Sequence, residues 1–320
     1  MNRSAVGTVL VTGAGGFVGR ALVPGLAAAG WRVRAASRVL SADPAPAGVE
    51  FVRLPDLAAS VDWPPLLDGV SHIVHLAGIA HTRAPLLDST YMRINAEAAG
   101  DLARAASAAG VSRLVLMSSV RAQTGASAAG HLNETTNPAP TDAYGRSKLA
   151  AEQAVAAAIP SAWTALRPVL VMGPGVKGNL AALANLAKSP LPLPFGALTN
   201  RRSLLGLANL VSIVQFTLTV PAAESRVFLA ADPDPLSVTE LLVAMRRAIN
   251  RPARLVPVPP ALLRLLLTAT GRGGIAQSLL GDLDVDTRAL SAAGWQPVVS
   301  TAAEIVRMMS HVLRPPTRPA

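Results

Sequence analysis

The segment VGTVLVTGAGGFVG, residues 6–19, decides the fold of this chain. Its apolar run Val6–Val11 is typical of a buried strand, and a glycine-rich turn follows it directly. Glycine lets backbone N–H groups approach a phosphate closely, and a helix that begins there directs its positive end at the anion. The segment therefore predicts a strand–turn–helix unit that binds the pyrophosphate of a dinucleotide. The residues implicated are Gly13, Gly16, Phe17, Val18 and Gly19.

Short β-rich runs alternate with longer alanine-rich runs over residues 6–160. Strands are predicted at Val6–Val11, Trp31–Ala36, Val49–Arg53, His72–Leu76, Arg113–Ser118 and Thr164–Val171. Helices are predicted at Phe17–Ala29, Thr90–Ala109 and Asp142–Ala158. Alternating strands and helices form right-handed βαβ units, and nearly continuous apolar strands indicate a parallel sheet covered on both faces. The predicted fold class is α/β, with a Rossmann-type doubly wound parallel sheet in an NAD(P)-binding domain at residues 1–171.

The alternation of strand-like and helical runs ends after Val171. The proline-rich stretch at 191–196 is incompatible with a regular helix or a central strand. A later strand is expected near residues 226–231, returning to the sheet, and a helix is expected over 236–249, beginning at Ser237 or Thr239. We therefore predict that residues 172–320 form a smaller, mostly C-terminal substrate-binding domain.

The composition excludes several classes of protein. The 320 residues contain no cysteine, and the five histidines lack metal-ligand spacing, so we expect neither disulfides nor a metal site. The formal net charge is +10, but scattered arginines and an aromatic content of 3% argue against a nucleic-acid partner. The apolar run Ala261–Ala269 contains Arg264 and is too short to span a bilayer. We expect a soluble, cytoplasmic protein without a membrane partner.

The end of the second predicted strand bears on the choice between NAD and NADP. An acidic residue there would bind the ribose 2′-hydroxyl of NAD, but this chain has Ser37 and Arg38. The Arg38 guanidinium can pair with a 2′-phosphate, which slightly favours NADP, although an ordinary surface arginine explains the position about equally well. Asp56, after the third strand, is a candidate acceptor for the adenine amino group.

Tyr144 and Lys148 indicate proton transfer beside the dinucleotide. They are four residues apart on a predicted helix, with Thr141 as its expected N-cap, so both lie on one face. Tyrosine ordinarily has a pKa near ~10, and we expect the Lys148 ammonium and a positive nicotinamide ring to lower it. Ser119, at the tip of a strand, is placed to hydrogen-bond the reacting oxygen.

Together these motifs resemble the extended short-chain dehydrogenase/reductase family, in its NAD-dependent epimerase/dehydratase branch of UDP-glucose 4-epimerase-like enzymes. The resemblance covers nearly the whole chain and implies that Ser119, Tyr144 and Lys148 are catalytic. Beyond the residues named above, it implies that cofactor contacts come from Leu57, Leu76, Ala77, Gly78, Asn95 and Pro168, as well as from Tyr144 and Lys148. Substrate contacts are implied for Ser118, Ser119, Asn179 and Arg202.

The resemblance implies an NAD(P)-dependent nucleotide-sugar epimerase that acts at C4 of a UDP-hexose by Tyr-assisted hydride transfer, and a homodimer. Val120 and Arg121 follow Ser119 where the family's dehydratases carry Asp-Glu, which disfavours elimination of water. An NADPH-dependent 4-keto nucleotide-sugar reductase stays open, because Ser37 and Arg38 replace the acidic residue of tight NAD binders. A non-catalytic dinucleotide-binding regulatory subunit is a further alternative.

Overall fold

The computed structural model describes residues 6–40, 44–80, 86–271 and 273–313. Along the chain, its strands are β1 (Thr8–Thr12), β2 (Arg32–Ser37), β3 (Val49–Arg53), β4 (His72–His75), β5 (Arg113–Met117), β6 (His131–Leu132), β7 (Trp163–Pro168), β8 (Leu170–Met172), β9 (Leu204–Gly206), β10 (Arg226–Ala230) and β11 (Asp284–Val285). Its α-helices are α1 (Phe17–Ala28), α2 (Pro64–Leu67), α3 (Asp88–Tyr91), α4 (Ala98–Ala108), α5 (Ala143–Ala158), α6 (Gly178–Ala187), α7 (Leu207–Thr219), α8 (Val238–Arg247), α9 (Pro260–Ala269), α10 (Gly273–Leu280), α11 (Arg288–Ala292) and α12 (Thr301–Leu313).

Seven of these strands form one parallel sheet in the order β10-β7-β5-β4-β1-β2-β3. The chain runs from β1 outward to β3, then returns to β4 on the other side of β1 and continues to β10. This reversal leaves a crevice at the carboxyl ends of β1 and β4, where doubly wound sheets bind ligands. The predicted fold class, a Rossmann-type parallel sheet, is confirmed.

Apolar helices cover both faces of the sheet. On one face, Leu22 of α1 and Leu210 of α7 are fully buried in a cluster with β1. On the other face, Leu102 of α4 and Val155 of α5 are fully buried in a second cluster. Full burial of one such side chain stabilises the fold by about 1.5–3 kcal/mol. The two covered faces explain why all five residues of β5 are buried and its sequence shows no polar alternation.

A third apolar cluster lies in the later part of the chain. It is built from helices α6, α8, α9, α10 and α12, and includes Leu180, Leu242, Leu263 and Met308. This part of the chain also supplies β10 to the main sheet, where it pairs with β7. The domain boundary at residue 171 stays a prediction. None of the helices in the described ranges is both long and apolar enough to cross a membrane.

Three local predictions differ from the structure. The strand expected at Thr164–Val171 is two strands: β7 ends at Pro168, and β8 pairs with β9 outside the main sheet. A proline has no N–H for the ladder, which favours this break. The helix expected at Thr90–Ala109 begins at Asp88 and contains a π-helical turn over Met92–Glu97. Asp142, and not Thr141, caps α5, because its Oδ1 accepts a hydrogen bond from the Gly145 N–H at 2.7 Å.

Candidate active site

The glycine turn after β1 is held tightly against its neighbours. Gly13 has a φ of +73°, and a Cβ there would lie 2.8 Å from the Ala77 nitrogen. A Cβ on Gly19 would lie 2.5 Å from the carbonyl oxygens of both Gly13 and Ala14. Both positions therefore exclude any side chain. Without one, the first turn of α1 can pack against the backbone of the glycine turn.

The N-terminus of α1 fits an anionic group. Gly16 is its N-cap, no side chain caps the first turn, and that turn contains no acidic residue. Gly15 and Gly16 are exposed and carry no side chain that could cover the first backbone N–H groups of α1. Val18 packs against the apolar cluster on its face of the sheet, whereas Phe17 is only half-buried. The pyrophosphate prediction fits this geometry.

The carboxyl end of β4 lies beside the glycine turn. The Thr12 hydroxyl is 2.8 Å from His75 Nδ1 and accepts a hydrogen bond from the Ala77 N–H at 3.3 Å. Burial lowers the pKa of His75 to about 3, with a further contribution from the positive charge of Lys148, so the imidazole is neutral. Ala77 is buried and Leu76 is half-buried, both at the base of the crevice.

Asn95 fastens the loop after β4 to helix α5. Its Oδ1 accepts a hydrogen bond from the Ile79 N–H at 2.8 Å, and its Nδ2 donates to the Ile79 carbonyl at 2.9 Å and to Ser147 Oγ at 3.0 Å. The π-helical turn that carries Asn95 is a local irregularity often found at functional sites. A Cβ on Gly78 would lie 2.6 Å from Asn95 Oδ1 and 3.5 Å from Lys148 Nζ, so these three predicted residues meet.

The predicted adenine side is more open. Arg38 is exposed at the end of β2, next to Ser37, whose hydroxyl donates to the Val39 carbonyl at 2.6 Å. Asp56 is also exposed, and its Oδ1 accepts from the Ala58 N–H at 3.0 Å. Leu57 is buried in the apolar cluster of that face. Arg38 and Asp56 are therefore accessible to a ligand, but their binding roles stay predictions.

Ser119, Tyr144 and Lys148 meet at the carboxyl end of β5. The Tyr144 hydroxyl is hydrogen-bonded to Ser119. Lys148, one helical turn further along α5, is buried and donates from Nζ to the Met117 carbonyl at 2.9 Å. Ser119 Oγ also accepts from the Arg121 N–H at 3.1 Å, which fixes the serine at the start of a short 3-10 turn. The predicted catalytic residues are therefore adjacent.

The electrostatics of this trio differ from the sequence expectation. Burial raises the pKa of Tyr144, and the Ser119 hydrogen bond opposes that rise. Burial lowers the pKa of Lys148 to about 8, and the Glu152 carboxylate opposes that shift. Desolvation has the largest effect on the pKa of Tyr144 in this structure, and Lys148 Nζ donates to the Met117 carbonyl. The lowering expected from the Lys148 ammonium together with a bound nicotinamide ring stays a prediction.

A buried polar network behind the trio was missed by sequence reasoning. Arg167 and Glu152 form a two-armed ion pair, with Nε–Oε1 at 2.9 Å and Nη2–Oε2 at 2.6 Å, and their side chains are both 5% exposed. Arg167 Nη1 also donates to Gln123 Oε1 at 2.9 Å. The signal was present, because Glu152 follows Lys148 by four residues and so lies on the same face of α5.

Ser118 belongs to this network. The sequence placed it among the substrate contacts, but it is buried and its hydroxyl donates to the Glu152 carboxylate. In the structure, Ser118 supports the carboxylate behind the trio, while the adjacent Ser119 carries the hydroxyl that reaches Tyr144. Adjacent residues of an extended segment point to opposite sides, which explains the separation.

The remaining predicted residues differ in burial and in their hydrogen-bond partners. Arg202 is half-buried, and it donates to the Gly281 carbonyl at 2.8 Å and to the Ala126 carbonyl at 3.3 Å. Burial lowers its pKa, the Asp282 carboxylate opposes that shift, and the positive charge of Arg121 adds to it. Pro168 is buried at the end of β7. Asn179 is exposed at the start of α6, and no hydrogen bond within the described ranges connects it to the trio.

Comparisons with known proteins agree with this geometry. Residues 9–230 match the model of the NAD dependent epimerase/dehydratase family. A UDP-glucose 4-epimerase of Vibrio cholerae is 34% identical over 303 residues, which cover 91% of this chain and 90% of that protein. A ceramide reductase of Caulobacter vibrioides is 30% identical over 263 residues, 81% of this chain and 76% of that protein.

Solved structures show the same fold along nearly the full length. MoeE5 in complex with UDP-glucose and NAD superposes with a TM-score of 0.73 at 26% identity, over 95% of this chain and 98% of that one. The human epimerase family protein SDR39U1 with NADPH has a TM-score of 0.72 at 20% identity, over 95% and 99% of the two chains. The match to an NAD-dependent family and the likeness to MoeE5 with NAD confirm the predicted cofactor class, a nicotinamide dinucleotide. Together, the family match, the relative that is 34% identical over 91% of this chain and the glycine turn show that this chain belongs to the NAD-dependent epimerase/dehydratase family.

Proposed function

We propose that this chain is an NAD(P)-dependent nucleotide-sugar epimerase that acts at C4 of a UDP-hexose. The observation that carries the proposal is the contact between Ser119 and Tyr144, one helical turn from the buried Lys148, at the sheet edge beside the glycine turn. A UDP-glucose 4-epimerase among its relatives and a structural neighbour bound to UDP-glucose and NAD support the same substrate class.

In this mechanism, Tyr144 Oη removes the proton of the C4 hydroxyl as hydride leaves C4. After the 4-keto sugar has rotated, so that hydride returns to the opposite face of C4, Tyr144 returns the proton to the oxygen. Ser119 Oγ hydrogen-bonds that sugar oxygen and so stabilises it as its charge changes. The Lys148 ammonium would hold the ribose hydroxyls of the cofactor and, with the nicotinamide ring bound, would favour the phenolate of Tyr144. A bound nicotinamide dinucleotide supplies reversible hydride exchange at the sugar carbon. Gly13, Gly16 and Gly19 would hold its pyrophosphate, with Asn95 fixing the loop at Gly78.

The substrate side of the crevice suits a nucleoside diphosphate. The positive charge of Arg121 acts on Arg202, and guanidinium groups bind a diphosphate through charge-assisted hydrogen bonds. Arg121 also pairs with Asp142, the N-cap of the helix that carries Tyr144. Binding of the diphosphate would thus occur next to the proton-transfer residue. Asn179 stays a proposed contact at the rim.

Tyr144→Phe tests the proposal. We expect turnover of UDP-glucose to its C4 epimer, followed by chromatography, to fall about a hundredfold to ten-thousandfold while the content of bound dinucleotide is unchanged. Tyr91→Phe is the matched control, because Tyr91 is the other of the chain's two tyrosines and its ring centre lies 6.5 Å from that of Tyr144. Near-wild-type turnover by Tyr144→Phe would remove Tyr144 from the chemistry.

An NADPH-dependent 4-keto sugar reductase is the second candidate, and the exposed Arg38 at the end of β2 favours it. A reductase consumes one reduced nicotinamide per product, whereas an epimerase shows no net consumption. The absorbance of the reduced nicotinamide during turnover therefore separates the two. Arg38→Ala should weaken NADPH binding more than NADH binding if Arg38 contacts a 2′-phosphate. No altered sugar with any cofactor would favour the regulatory-subunit alternative.

We also propose that the chain functions as a cytoplasmic homodimer. Helices α4 and α5 pack side by side on one face of the sheet, and their alanine-rich surfaces suit close packing across a two-fold axis. Light scattering of the purified protein measures the mass directly. A monomer at micromolar concentration would contradict the dimer.

A further inference from the structure

The segment between Glu240 and Asp282 differs in charge from the rest of the chain. It contains no acidic residue and no lysine, but it contains the six arginines Arg246, Arg247, Arg251, Arg254, Arg264 and Arg272. Arg272 lies outside the described residues. The chain as a whole has a formal charge of +10, so this stretch carries more than half of the excess.

Four of these arginines form what we call the basic cluster: Arg246, Arg247, Arg251 and Arg254. Arg246 is 1% exposed, and its guanidinium donates to the carbonyls of Ser189, Leu191, Ala253 and Arg254. Burial lowers the pKa of Arg246, and the charges of Arg251 and Arg254 add to that effect. Within the described ranges, none of the four has an ion pair with a carboxylate. The cluster therefore presents uncompensated positive charge.

The surface over the cluster is concave. A depression of about 420 Å³ is lined by Val243, Arg247, Asn250, Arg251, Pro252 and Ala253. Arg247 and Arg251 are exposed there. A depression lined by guanidinium groups fits an anionic headgroup, and none of its lining residues belongs to the candidate active site.

Exposed apolar side chains adjoin the basic cluster. Leu191 and Val256 are 66% and 45% exposed, and the strand-like segments that carry them are hydrogen-bonded to each other, since the Val256 N–H donates to the Leu193 carbonyl at 2.8 Å. Only residues 257–259 separate Val256 from α9, a span of at most about 14 Å. Leu263 of α9 packs in the same apolar cluster as Leu193. Helix α9 therefore begins within about 14 Å of Val256, which follows Arg254 of the basic cluster by two residues.

Helix α9 has an apolar face that points away from the protein. We call this face the apolar ridge: Leu262, Leu265, Leu266 and Ala269, with the three leucines 47%, 64% and 53% exposed. Their spacing of three, four and seven residues places them on one side of the helix. Leu263 and Leu267, on the other side, pack against the third apolar cluster. An exposed apolar surface of this kind marks an interaction site.

We propose that the apolar ridge and the basic cluster bind together to the surface of an anionic lipid bilayer. The leucines enter the boundary between headgroups and acyl chains, and the exposed arginines of the cluster, Arg247, Arg251 and Arg254, contact the lipid phosphates. The absence of any acidic residue over 41 positions removes the repulsion that would oppose this contact. The earlier expectation of no membrane partner rested on the lack of a spanning segment, whereas surface binding needs only shallow insertion. The proposal goes beyond the proposed catalytic function and does not depend on it.

Flotation with vesicles tests the proposal on the full chain. We expect the wild type to float with vesicles of equal parts phosphatidylglycerol and phosphatidylcholine, to stay behind with pure phosphatidylcholine, and to be released by salt. Leu265→Glu/Leu266→Glu should abolish flotation. The pair Arg247→Ser/Arg251→Ser should weaken partitioning about twenty-fivefold, since each arginine near the surface is worth about fivefold.

Two control pairs carry the same changes elsewhere. Val298→Glu/Val306→Glu alters side chains that are 61% and 47% exposed, and Arg32→Ser/Arg53→Ser removes two exposed arginines from β2 and β3. Both should float like the wild type, and thermal unfolding should show that all variants are folded. Failure of the wild type to float, or equal losses in the test and control pairs, would overturn the proposal. A different outcome is a wild-type dimer that does not bind vesicles and that Leu265→Glu/Leu266→Glu converts to a monomer. That result would show that a second copy of the chain covers the apolar ridge.

Discussion

Arg167 and Arg246 are both buried, but their surroundings are opposite. Arg167, behind the candidate active site, is paired with the Glu152 carboxylate and with Gln123. Arg246, in the later part of the chain, is surrounded by carbonyl groups and by other arginines. The first arrangement is balanced in charge and fixes the geometry around Ser119. The second is unbalanced and leaves a positive surface. Paired charges around Arg167 therefore favour a rigid site, whereas unpaired positive charges around Arg246 favour binding of an anion.

The largest expected effect on stability comes from replacing the two buried arginines, Arg167 and Arg246, by methionine. Arg167→Met leaves the Glu152 carboxylate buried without its partner, which should lower the free energy of unfolding by about 3–5 kcal/mol. Arg246→Met leaves only carbonyl groups without a donor, at a cost of about 1–3 kcal/mol. Urea unfolding of both variants measures the difference. Equal losses would show that charge balance does not distinguish the two sites.

His75 extends the comparison to a second buried group at the active-site side. The pKa of His75 is lowered from 6.5 to about 3 in the folded chain, so the unfolded chain binds a proton that the folded chain does not between those pH values. The contribution of His75 to the free energy of unfolding should therefore be fully present above about pH 6.5. It should be lost as the pH decreases towards 3, by up to about 4 kcal/mol. His75→Gln should remove much of this slope, measured by urea unfolding at several pH values. His311→Gln, at an exposed position of α12, should leave the slope unchanged.

The two faces of α9 sharpen the comparison within the later part of the chain. Leu263→Ala opens a cavity in the third apolar cluster and should lower the free energy of unfolding by about 2–3 kcal/mol. Leu265→Ala, on the exposed ridge, should change it by less than about 0.5 kcal/mol. Thermal unfolding distinguishes them. A large loss for Leu265→Ala would mean that the ridge is covered in solution, by a second copy of the chain.

The smallest effect concerns Lys148 and the cofactor. Because the pKa of Lys148 is lowered to about 8, its ammonium is lost as the pH rises through that value. If Lys148 holds the ribose, dinucleotide affinity should weaken about fivefold across this range, since a charged donor is stronger than a neutral one. Lys148→Arg should bind with no such pH dependence. Titration of the dinucleotide into each protein at several pH values gives the dissociation constants. If dinucleotide binding by Lys148→Arg weakened equally at alkaline pH, the weakening would come from a group other than Lys148.

Much of the dinucleotide side was predictable from local sequence. The glycines at 13, 16 and 19 act through their own lack of a side chain, and Tyr144 and Lys148 share a face because a helix has a fixed period. The roles of Asn95 and Glu152 were different. Asn95 bonds to Ile79 and Ser147, which are 16 and 52 positions away, and Glu152 bonds to Ser118, 34 positions away. Such partners become visible only when the sheet brings distant segments together.

The sequence by itself determined the alternation of strands and helices, the turn that fits a pyrophosphate and the candidate proton-transfer residues, because these depend on short-range periodicity and on the chemistry of single side chains. Only the tertiary structure decided that Ser118 supports the network while Ser119 contacts Tyr144, that Lys148 is desolvated and held by the Met117 carbonyl, and that the leucines of α9 face outward. Burial and partner choice are properties of the whole packed chain, and the free energies that they control are not encoded at any one position.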